Sequence, residues 1–89
     1  MLRRQVTIIN KLGMHARAAA RFVQLASRFE CDIKVSRNGR EVNGKSIMGV
    51  MMLAAGSGSE IEIIVQGQDE ALAMEHLEAL VADKFGETE

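Results

Sequence analysis

The order of two hydrophobic patterns along the chain is the feature that most constrains its fold. Four segments alternate apolar and polar residues as strands do, and three repeat apolar residues at helical spacing. The strand segments are residues 4–9, 32–37, 40–43 and 60–65, and the helical segments are residues 16–28, 47–53 and 70–84. The resulting order, βαββαβα, predicts one sheet covered on one face by helices, an α+β fold.

Turn and capping residues support these assignments. Asn38 and Gly39 tolerate the positive φ angles of a tight hairpin, so the second and third strands are expected to pair antiparallel. Ser46 and Asp69 are expected to cap the second and third helices through their side-chain oxygens. The last four residues, Gly-Glu-Thr-Glu, are expected to fray.

The expected core comes from one side of each segment. The first strand contributes Val6 and Ile8, and the fourth contributes Ile61, Ile63 and Val65. The apolar stripe of the first helix consists of Ala18, Ala19, Phe22, Leu25, Ala26 and Phe29. Its opposite, solvated face carries Arg17, Arg21, Gln24 and Arg28. The stripe of the last helix consists of Ala73, Met74, Leu77, Leu80 and Val81.

Length, charge and cysteine content exclude several classes of protein. The 89 residues suffice for one domain, expected to span residues 1–89, but not for separate cofactor and substrate domains, so no cofactor is expected. A net charge of −1 gives no reason to expect nucleic acid or a membrane as a partner. The chain shows no signal peptide, no apolar run of about 18 residues and a single cysteine, Cys31. We therefore expect a cytoplasmic protein.

His15 is the candidate functional residue, because it lies where an irregular, glycine-containing segment becomes the first helix. Backbone N–H groups and the positive end of the helix dipole would stabilise an anion on or near its ring. The same dipole disfavours imidazolium and favours the neutral ring, which is the nucleophilic form. Arg17 adds a guanidinium that binds phosphate through charged hydrogen bonds. On this pattern alone, a merely solvated or capping histidine remains the alternative.

A second motif points to nucleotide chemistry. Residues 39–46 match the phosphate-loop pattern G-x-x-x-x-G-K-[ST], with Ser46 at a helix start. That loop requires its first glycine directly after a buried strand, whereas Gly39 lies in the expected hairpin turn. No aspartate directly ends an apolar strand to hold magnesium. The context therefore disfavours a nucleotide hydrolase.

Two further binding classes lack the residues they need. A βαββαβ sheet that binds RNA stacks bases on aromatic rings, and this chain has three Phe and no Tyr or Trp. His15, Cys31 and His76 do not have the spacing of metal ligands, so no metal is expected. His76 is expected to be solvated at the edge of the last helix's apolar stripe.

Two segments of the chain resemble a known pair of signatures. They are Lys11-Leu12-Gly13-Met14-His15-Ala16-Arg17 and Asn43-Gly44-Lys45-Ser46-Ile47-Met48-Gly49-Val50-Met51. They resemble the signatures of HPr, the histidine-containing phosphocarrier family of the phosphoenolpyruvate-dependent phosphotransferase system, and the resemblance extends over nearly the whole chain. It implies an open-faced sandwich, in which a four-stranded antiparallel sheet carries three helices on one face. It also implies a phosphocarrier rather than an enzyme, and we expect a monomer.

The resemblance implies roles for particular residues. The family histidine that matches His15 takes a phosphoryl group from enzyme I and passes it to enzyme IIA-type domains. The arginine that matches Arg17 helps to hold that group, and the neighbouring residues Ala16 and Ala18 are expected to bind it as well. The serine that matches Ser46 is phosphorylated in some members by a dedicated kinase, as a regulatory switch.

A surface for partners is expected around the second helix. That helix is too short to bury every apolar side chain, and methionine adapts to several partners. The expected surface consists of Arg17, Arg21, Ile47, Met48 and Met51. Burial of all the apolar residues in the core is the alternative.

Small residues surround the candidate histidine. Gly13 and Ala16 are expected to leave room for a partner. Family members usually carry proline directly after the arginine, whereas this chain has Ala18 there and no proline at all. Alanine fits the first turn of a helix and brings an extra N–H donor. The sequence leaves open whether the carrier serves sugar uptake or nitrogen regulation, and which acceptor it uses.

Overall fold

The computed structural model describes all residues from Met1 to Glu89 and contains four strands and three helices. In chain order they are β1 (Leu2–Thr7), α1 (Ala16–Ala26), β2 (Asp32–Arg37), β3 (Arg40–Asn43), α2 (Ile47–Met52), β4 (Glu60–Gln66) and α3 (Glu70–Ala82). A short 3-10 turn, Lys84–Gly86, follows α3. The predicted order βαββαβα is confirmed.

The four strands form one antiparallel sheet in the order β1-β4-β2-β3. One face is apolar and buried, as in the cross-strand pairs Ile33↔Val65 and Val35↔Ile63. The other face is mainly polar, and an ion pair of 2.9 Å joins the Arg3 guanidinium on β1 to the Glu62 carboxylate on β4. The predicted open-faced α+β sandwich is therefore confirmed.

Asn38 and Gly39 form the hairpin turn between β2 and β3, with φ angles of 52° and 80°. Positive φ at both central residues is typical of a type I′ turn, whose twist matches that of the flanking strands. β2 and β3 have the predicted bounds because this turn sets their register from Arg37↔Arg40 onward. Arg40–Asn43 is strand, so residues 39–46 do not form a phosphate loop.

The two longer helices pack their apolar sides into the core. α1 buries the predicted Ala18, Ala19, Phe22 and Ala26. It also buries Val23, whereas the predicted Leu25 and Phe29 are only half-buried. The stripe is rotated toward Val23 because α1 packs against α2 and α3. On α3 the predicted core residues are buried except Leu80, which is half-buried.

The predicted bounds of β1, α1 and α3 are wrong by two residues, and the predicted ends of α2 and β4 each differ by one residue. β1 begins and ends two residues early, because its pairing with β4 runs from Leu2↔Val65 to Thr7↔Glu60. α1 ends at Ala26 because the next residues form a tighter turn, in which the Arg28 N–H bonds to the carbonyl three residues back. α3 ends at Ala82, since Lys84 has a φ of 57° and cannot continue a right-handed helix.

Asp69 precedes α3, but its carboxylate does not cap the helix, so that prediction is wrong. The carboxylate instead accepts hydrogen bonds from the N–H groups of Glu30 and Cys31, at 2.9 and 3.0 Å. The bond from Glu30 is the main cause that lowers the pKa of Asp69. The Asp69 carboxylate bonds to these two N–H groups because the segment after α1 lies against the start of α3. The side chain of the next residue, Glu70, accepts the Gly67 N–H at 3.0 Å, so Glu70 and not Asp69 bonds to the backbone just before α3.

The C-terminal tail does not fray but folds back over the start of α1. Lys84, Phe85 and Gly86 have φ angles of 57°, 56° and 79°, and this left-handed turn reverses the chain after α3. Phe85 is fully buried and anchors the turn in the core. The prediction of a frayed tail was wrong because this anchor immediately precedes the last four residues.

The segment before His15 packs against the loop between α2 and β4. Gly13 has a φ of 70°, and a Cβ atom there would lie 2.7 Å from Cα of Gly56 and 2.8 Å from the Ala55 carbonyl oxygen. The next residue, Met14, donates its N–H to the same Ala55 carbonyl at 2.8 Å. Gly13 therefore leaves room for the protein's own loop and not for a partner, which corrects the expectation from sequence.

Alanine substitutions at Gly13 and Gly39 distinguish the steric clash expected at Gly13 from the strain of a positive φ angle, which both positions share. Gly13 and Gly39 have similar φ angles, 70° and 80°, so alanine costs about 1–2 kcal/mol of strain at either position. Only at Gly13 does the new methyl group meet backbone atoms, which adds roughly 1–3 kcal/mol. Urea denaturation is expected to show Gly13→Ala to be the less stable variant by that amount. Equal losses of unfolding free energy in the two variants would contradict the close approach at Gly13.

Candidate functional site

His15 is the N-cap residue of α1, and its ring lies at the first N–H groups of that helix. Its backbone is extended, with φ −74° and ψ 179°, and its Nδ1 accepts a hydrogen bond from the Arg17 N–H at 3.3 Å. Ala16 is exposed, and its N–H donates to no group of the protein. Ala18 is fully buried, with its methyl group in the core, so its N–H is shielded from the surface. An anion beside Nδ1 meets the positive end of the helix dipole.

The other ring nitrogen of His15, Nε2, contacts the carboxylate of Glu87 in the tail. A carboxylate only accepts hydrogen bonds, so this contact assigns the proton to Nε2 and leaves a lone pair on Nδ1. The bond that Nδ1 accepts from Arg17 agrees with this tautomer. The nucleophilic nitrogen of the neutral ring is therefore the one that faces the start of α1.

Glu87 is in turn held by Asn10, which is fully buried. The Asn10 side-chain nitrogen donates to Oε1 of Glu87 at 2.9 Å and to the Gly13 carbonyl at 2.8 Å. Hydrogen bonds from Asn10 and, to a smaller extent, from His15 lower the pKa of Glu87. The carboxylate beside the histidine ring is therefore ionised at neutral pH.

The ring lies in an open depression of about 810 Å³ between the start of α1 and the tail. Three cations line this depression, and two of them are already engaged. The Arg21 guanidinium donates to the Phe85 carbonyl, and the Lys11 ammonium pairs with the Glu89 carboxylate at 3.3 Å. Arg17 is exposed, and its guanidinium makes no hydrogen bond within the protein. Arg17 is therefore the free cation beside the histidine, whereas Arg21 fastens the tail.

Ser46 is the N-cap residue of α2, and its Oγ accepts the Gly49 N–H at 3.1 Å, as predicted. Of the six residues of α2 only Val50 is buried. The exposed apolar residues form a surface that we call the α2 patch, and with their exposed fractions they are Ile47 (42%), Met48 (70%), Met51 (39%) and Met52 (53%). The loop that follows α2 accepts the Met14 N–H, and α2 packs against α1, the helix that His15 caps.

The structure places the other candidate residues from the sequence as follows. The Gly44 N–H donates to the Ile33 carbonyl at 2.7 Å, and Nζ of Lys45 donates to the Phe29 carbonyl at 2.6 Å, so neither is free for a phosphate. No three His, Cys, Asp or Glu side chains lie together as metal ligands would. His76 is exposed, with its ring centroid 5.7 Å from that of Phe29.

None of the helices combines the length and the apolar character needed to cross a membrane. Sequence reasoning missed three residues of the site, namely Asn10, Glu87 and Met52. The available signal for Glu87 was Phe85, an apolar residue that follows the last helix and needs burial. Met52 is the next residue after the predicted Met51, and the short length of α2 leaves it exposed.

Comparisons with known proteins agree with this fold. A family model described as "PTS HPr component phosphorylation site" matches residues 2–83. Phosphocarrier protein HPr of Cupriavidus necator is 60% identical over 89 residues, which is 100% of both chains. A crystal structure of HPr-C-His from Thermoanaerobacter tengcongensis has a TM-score of 0.96 at 43% identity and covers 100% of both chains. An HPr dimer from the same organism has a TM-score of 0.79 at 44% identity, over 98% of this chain and 100% of that chain.

These matches define the class of protein as a phosphocarrier of the phosphotransferase system, which carries a phosphoryl group and is not an enzyme. Within that class, the chain belongs to the HPr family. The resemblance carried by the two sequence segments is thereby confirmed.

Proposed function

We propose that this protein accepts a phosphoryl group from enzyme I on His15 and passes it to an enzyme IIA-type domain. The observation that carries the proposal is the orientation of the His15 ring. Nδ1, which holds the lone pair, faces the start of α1, where it accepts the Arg17 N–H, while Nε2 faces the tail. The free guanidinium of Arg17 lines the same depression as the ring. The nucleophile therefore lies beside the helix N–H groups that stabilise a phosphate, with a free cation in the same depression.

In the proposed transfer, Nδ1 attacks the phosphorus atom while the bond from phosphorus to the donor breaks. Arg17 and the N–H groups at the start of α1 balance the charge on the phosphoryl oxygens. The same steps run in reverse when an acceptor attacks the phosphorus atom. A carrier must release what it accepts, so strong binding of the phosphoryl group would oppose its function. Lys11 and Arg21 are held by Glu89 and the Phe85 carbonyl, which leaves a single free cation.

We propose that the α2 patch and Arg17 form the docking surface for both partners, which bind it in turn. Exposed methionine side chains adapt to different surfaces. Ser46, at the edge of the patch, is proposed as the target of a regulatory kinase. A phosphate there brings about two negative charges next to apolar side chains. The protein is proposed to act in the cytoplasm as a monomer, because each transfer brings one His15 to one partner.

Incubation with phosphoenolpyruvate and enzyme I is expected to place one acid-labile phosphate on His15, because its Nδ1 is the available nucleophile. Mass spectrometry before and after acid treatment measures it. His15→Ala is expected to abolish the label, whereas His76→Ala, the matched control on α3, is expected to keep it. Label that persists in His15→Ala, or that survives acid as a phosphoester does, would contradict the proposal.

Arg17→Ala is expected to slow phosphorylation of His15 without unfolding the protein. The lost charged hydrogen bond corresponds to about 1.5–3 kcal/mol, or roughly a 10- to 100-fold slower transfer. Arg28→Ala removes the same side chain just after the other end of α1 and serves as the control. Rapid-quench measurement of single transfers gives both rates. Equal rates for Arg17→Ala and Arg28→Ala would mean that the helix N–H groups suffice.

Substitutions of Ser46 separate its capping role from regulation. Ser46→Ala loses the bond from Gly49 and is expected to destabilise the protein by about 1 kcal/mol without slowing the phosphorylation of His15. Ser46→Asp retains a capping oxygen but adds charge beside the α2 patch, and roughly tenfold weaker docking of enzyme I is expected. Thermal unfolding and phosphorylation rates measure the two effects. If Ser46→Asp is phosphorylated as fast as the unmodified protein, Ser46 does not regulate this step.

A further inference from the structure

We propose that Glu87 is a positioning residue for phosphoryl transfer, whose carboxylate keeps a proton on Nε2 of His15 and balances the positive charge that the ring gains when Nδ1 is phosphorylated. The inference rests on the proposed function, because it takes His15 as the phosphorylated residue. It adds to the site a side chain that lies 72 positions further along the chain.

The Glu87 carboxylate is fixed at both of its oxygens. Oε1 accepts a hydrogen bond from the Asn10 side-chain nitrogen at 2.9 Å, and Oε2 contacts Nε2 of His15. Asn10 is fully buried and also donates to the Gly13 carbonyl at 2.8 Å, so it holds the carboxylate in a defined direction. The Glu87 side chain is only 16% exposed, and water screens its contact with the ring less than that of a surface pair.

The tail that carries Glu87 is fastened on both sides of this residue. On the preceding side, Phe85 is buried in the core and its carbonyl accepts a hydrogen bond from the Arg21 guanidinium. On the following side, the Glu89 carbonyl accepts the Lys11 N–H, and the side chains of the same two residues form an ion pair. The fold therefore sets the position of Glu87 independently of its contact with the ring.

The histidine ring gains a positive charge during transfer, and a carboxylate at Nε2 stabilises that charge. The form of the ring that reacts has a proton on Nε2 and a lone pair on Nδ1. The lone pair forms the bond to phosphorus, and the bond to the donor breaks with its electron pair leaving on the donor. The ring becomes a cation that keeps the proton on Nε2. When the group moves on, the electron pair of the N–P bond returns to Nδ1, so no proton has to move at either step.

Glu87 therefore shifts the phosphotransfer equilibrium toward the phosphorylated protein, because an opposite charge favours the cationic ring over the neutral one. The other charged groups that line the same depression are Lys11, Arg17, Arg21 and Glu89. The hydrogen bond from Asn10, followed by weaker contributions that include Arg21, lowers the pKa of Glu87. The Glu87 carboxylate is thus ionised at neutral pH, and its charge acts on the ring there.

Glu87→Gln tests the proposal, with Glu75→Gln as the matched control. Each removes one carboxylate, but Glu75 is exposed on α3 and lies outside the depression that holds the histidine ring. The phosphorylated fraction is measured at equilibrium with enzyme I at a fixed ratio of phosphoenolpyruvate to pyruvate. We expect Glu87→Gln to lower the equilibrium constant roughly 3- to 10-fold, and Glu75→Gln to change it by less than about twofold.

The pH profile for hydrolysis of the isolated phosphoprotein is a second readout, which a purely structural role of Glu87 would not move. Because hydrolysis proceeds through the protonated ring, Glu87→Gln is expected to shift the profile to lower pH by about 0.5–1 unit. An unchanged equilibrium and an unchanged profile would overturn the proposal, since Glu87 would then only fasten the tail.

Nitrogen-15 NMR of the unmodified protein tests the tautomer without relying on any variant. At about pH 8 we expect the proton of the His15 ring on Nε2. A dominant Nδ1–H tautomer would overturn the proposal for Glu87 while leaving phosphorylation of His15 in place. An unmodified protein that takes no phosphoryl group from enzyme I would instead overturn the proposed function, and this inference with it.

Discussion

The candidate site depends on the hydrogen bonds that the buried side-chain amide of Asn10 donates. An amide removed from water costs free energy wherever its polar atoms are unpaired; both donors of this side chain have partners in the protein, whereas its Oδ1 has none. The bond to the Gly13 carbonyl sets the segment that leads into α1, and the bond to Glu87 sets the tail. A single side chain in the core therefore holds both walls of the depression in which His15 lies.

Sequence reasoning predicted the parts of the fold that local chemistry determines. β2 and β3 match the prediction at every residue, because the turn at Asn38 and Gly39 sets their pairing within a few residues. β1 takes its bounds from β4, a distant partner whose register the hydrophobic pattern did not specify. α3 ends early because burial of Phe85 requires a left-handed turn. No periodic pattern marks such a turn, so tertiary packing, and not the local sequence, determines where α3 ends.

The same distinction applies to the candidate site. His15 and Arg17 belong to one short motif at a helix start, and the chemistry of that motif is readable from neighbouring residues. Asn10 and Glu87 are 77 positions apart, and neither belongs to an apolar stripe. Only the path of the folded chain brings these two side chains together. Their roles depend on burial and on hydrogen-bond direction, which a sequence pattern does not contain.

The path of the tail also decides where an affinity tag or a fluorophore can be attached. Residues fused after Glu89 would begin beside the depression, where that residue pairs with Lys11, and would cover the face that partners must reach. A label attached at the N-terminus would lie elsewhere on the protein. Leu2 opens β1 opposite Val65, and about 20 Å of strand separates it from the segment that leads to His15. A label before Leu2 leaves the phosphoryl-accepting face open, so the two termini are not equivalent sites for labelling.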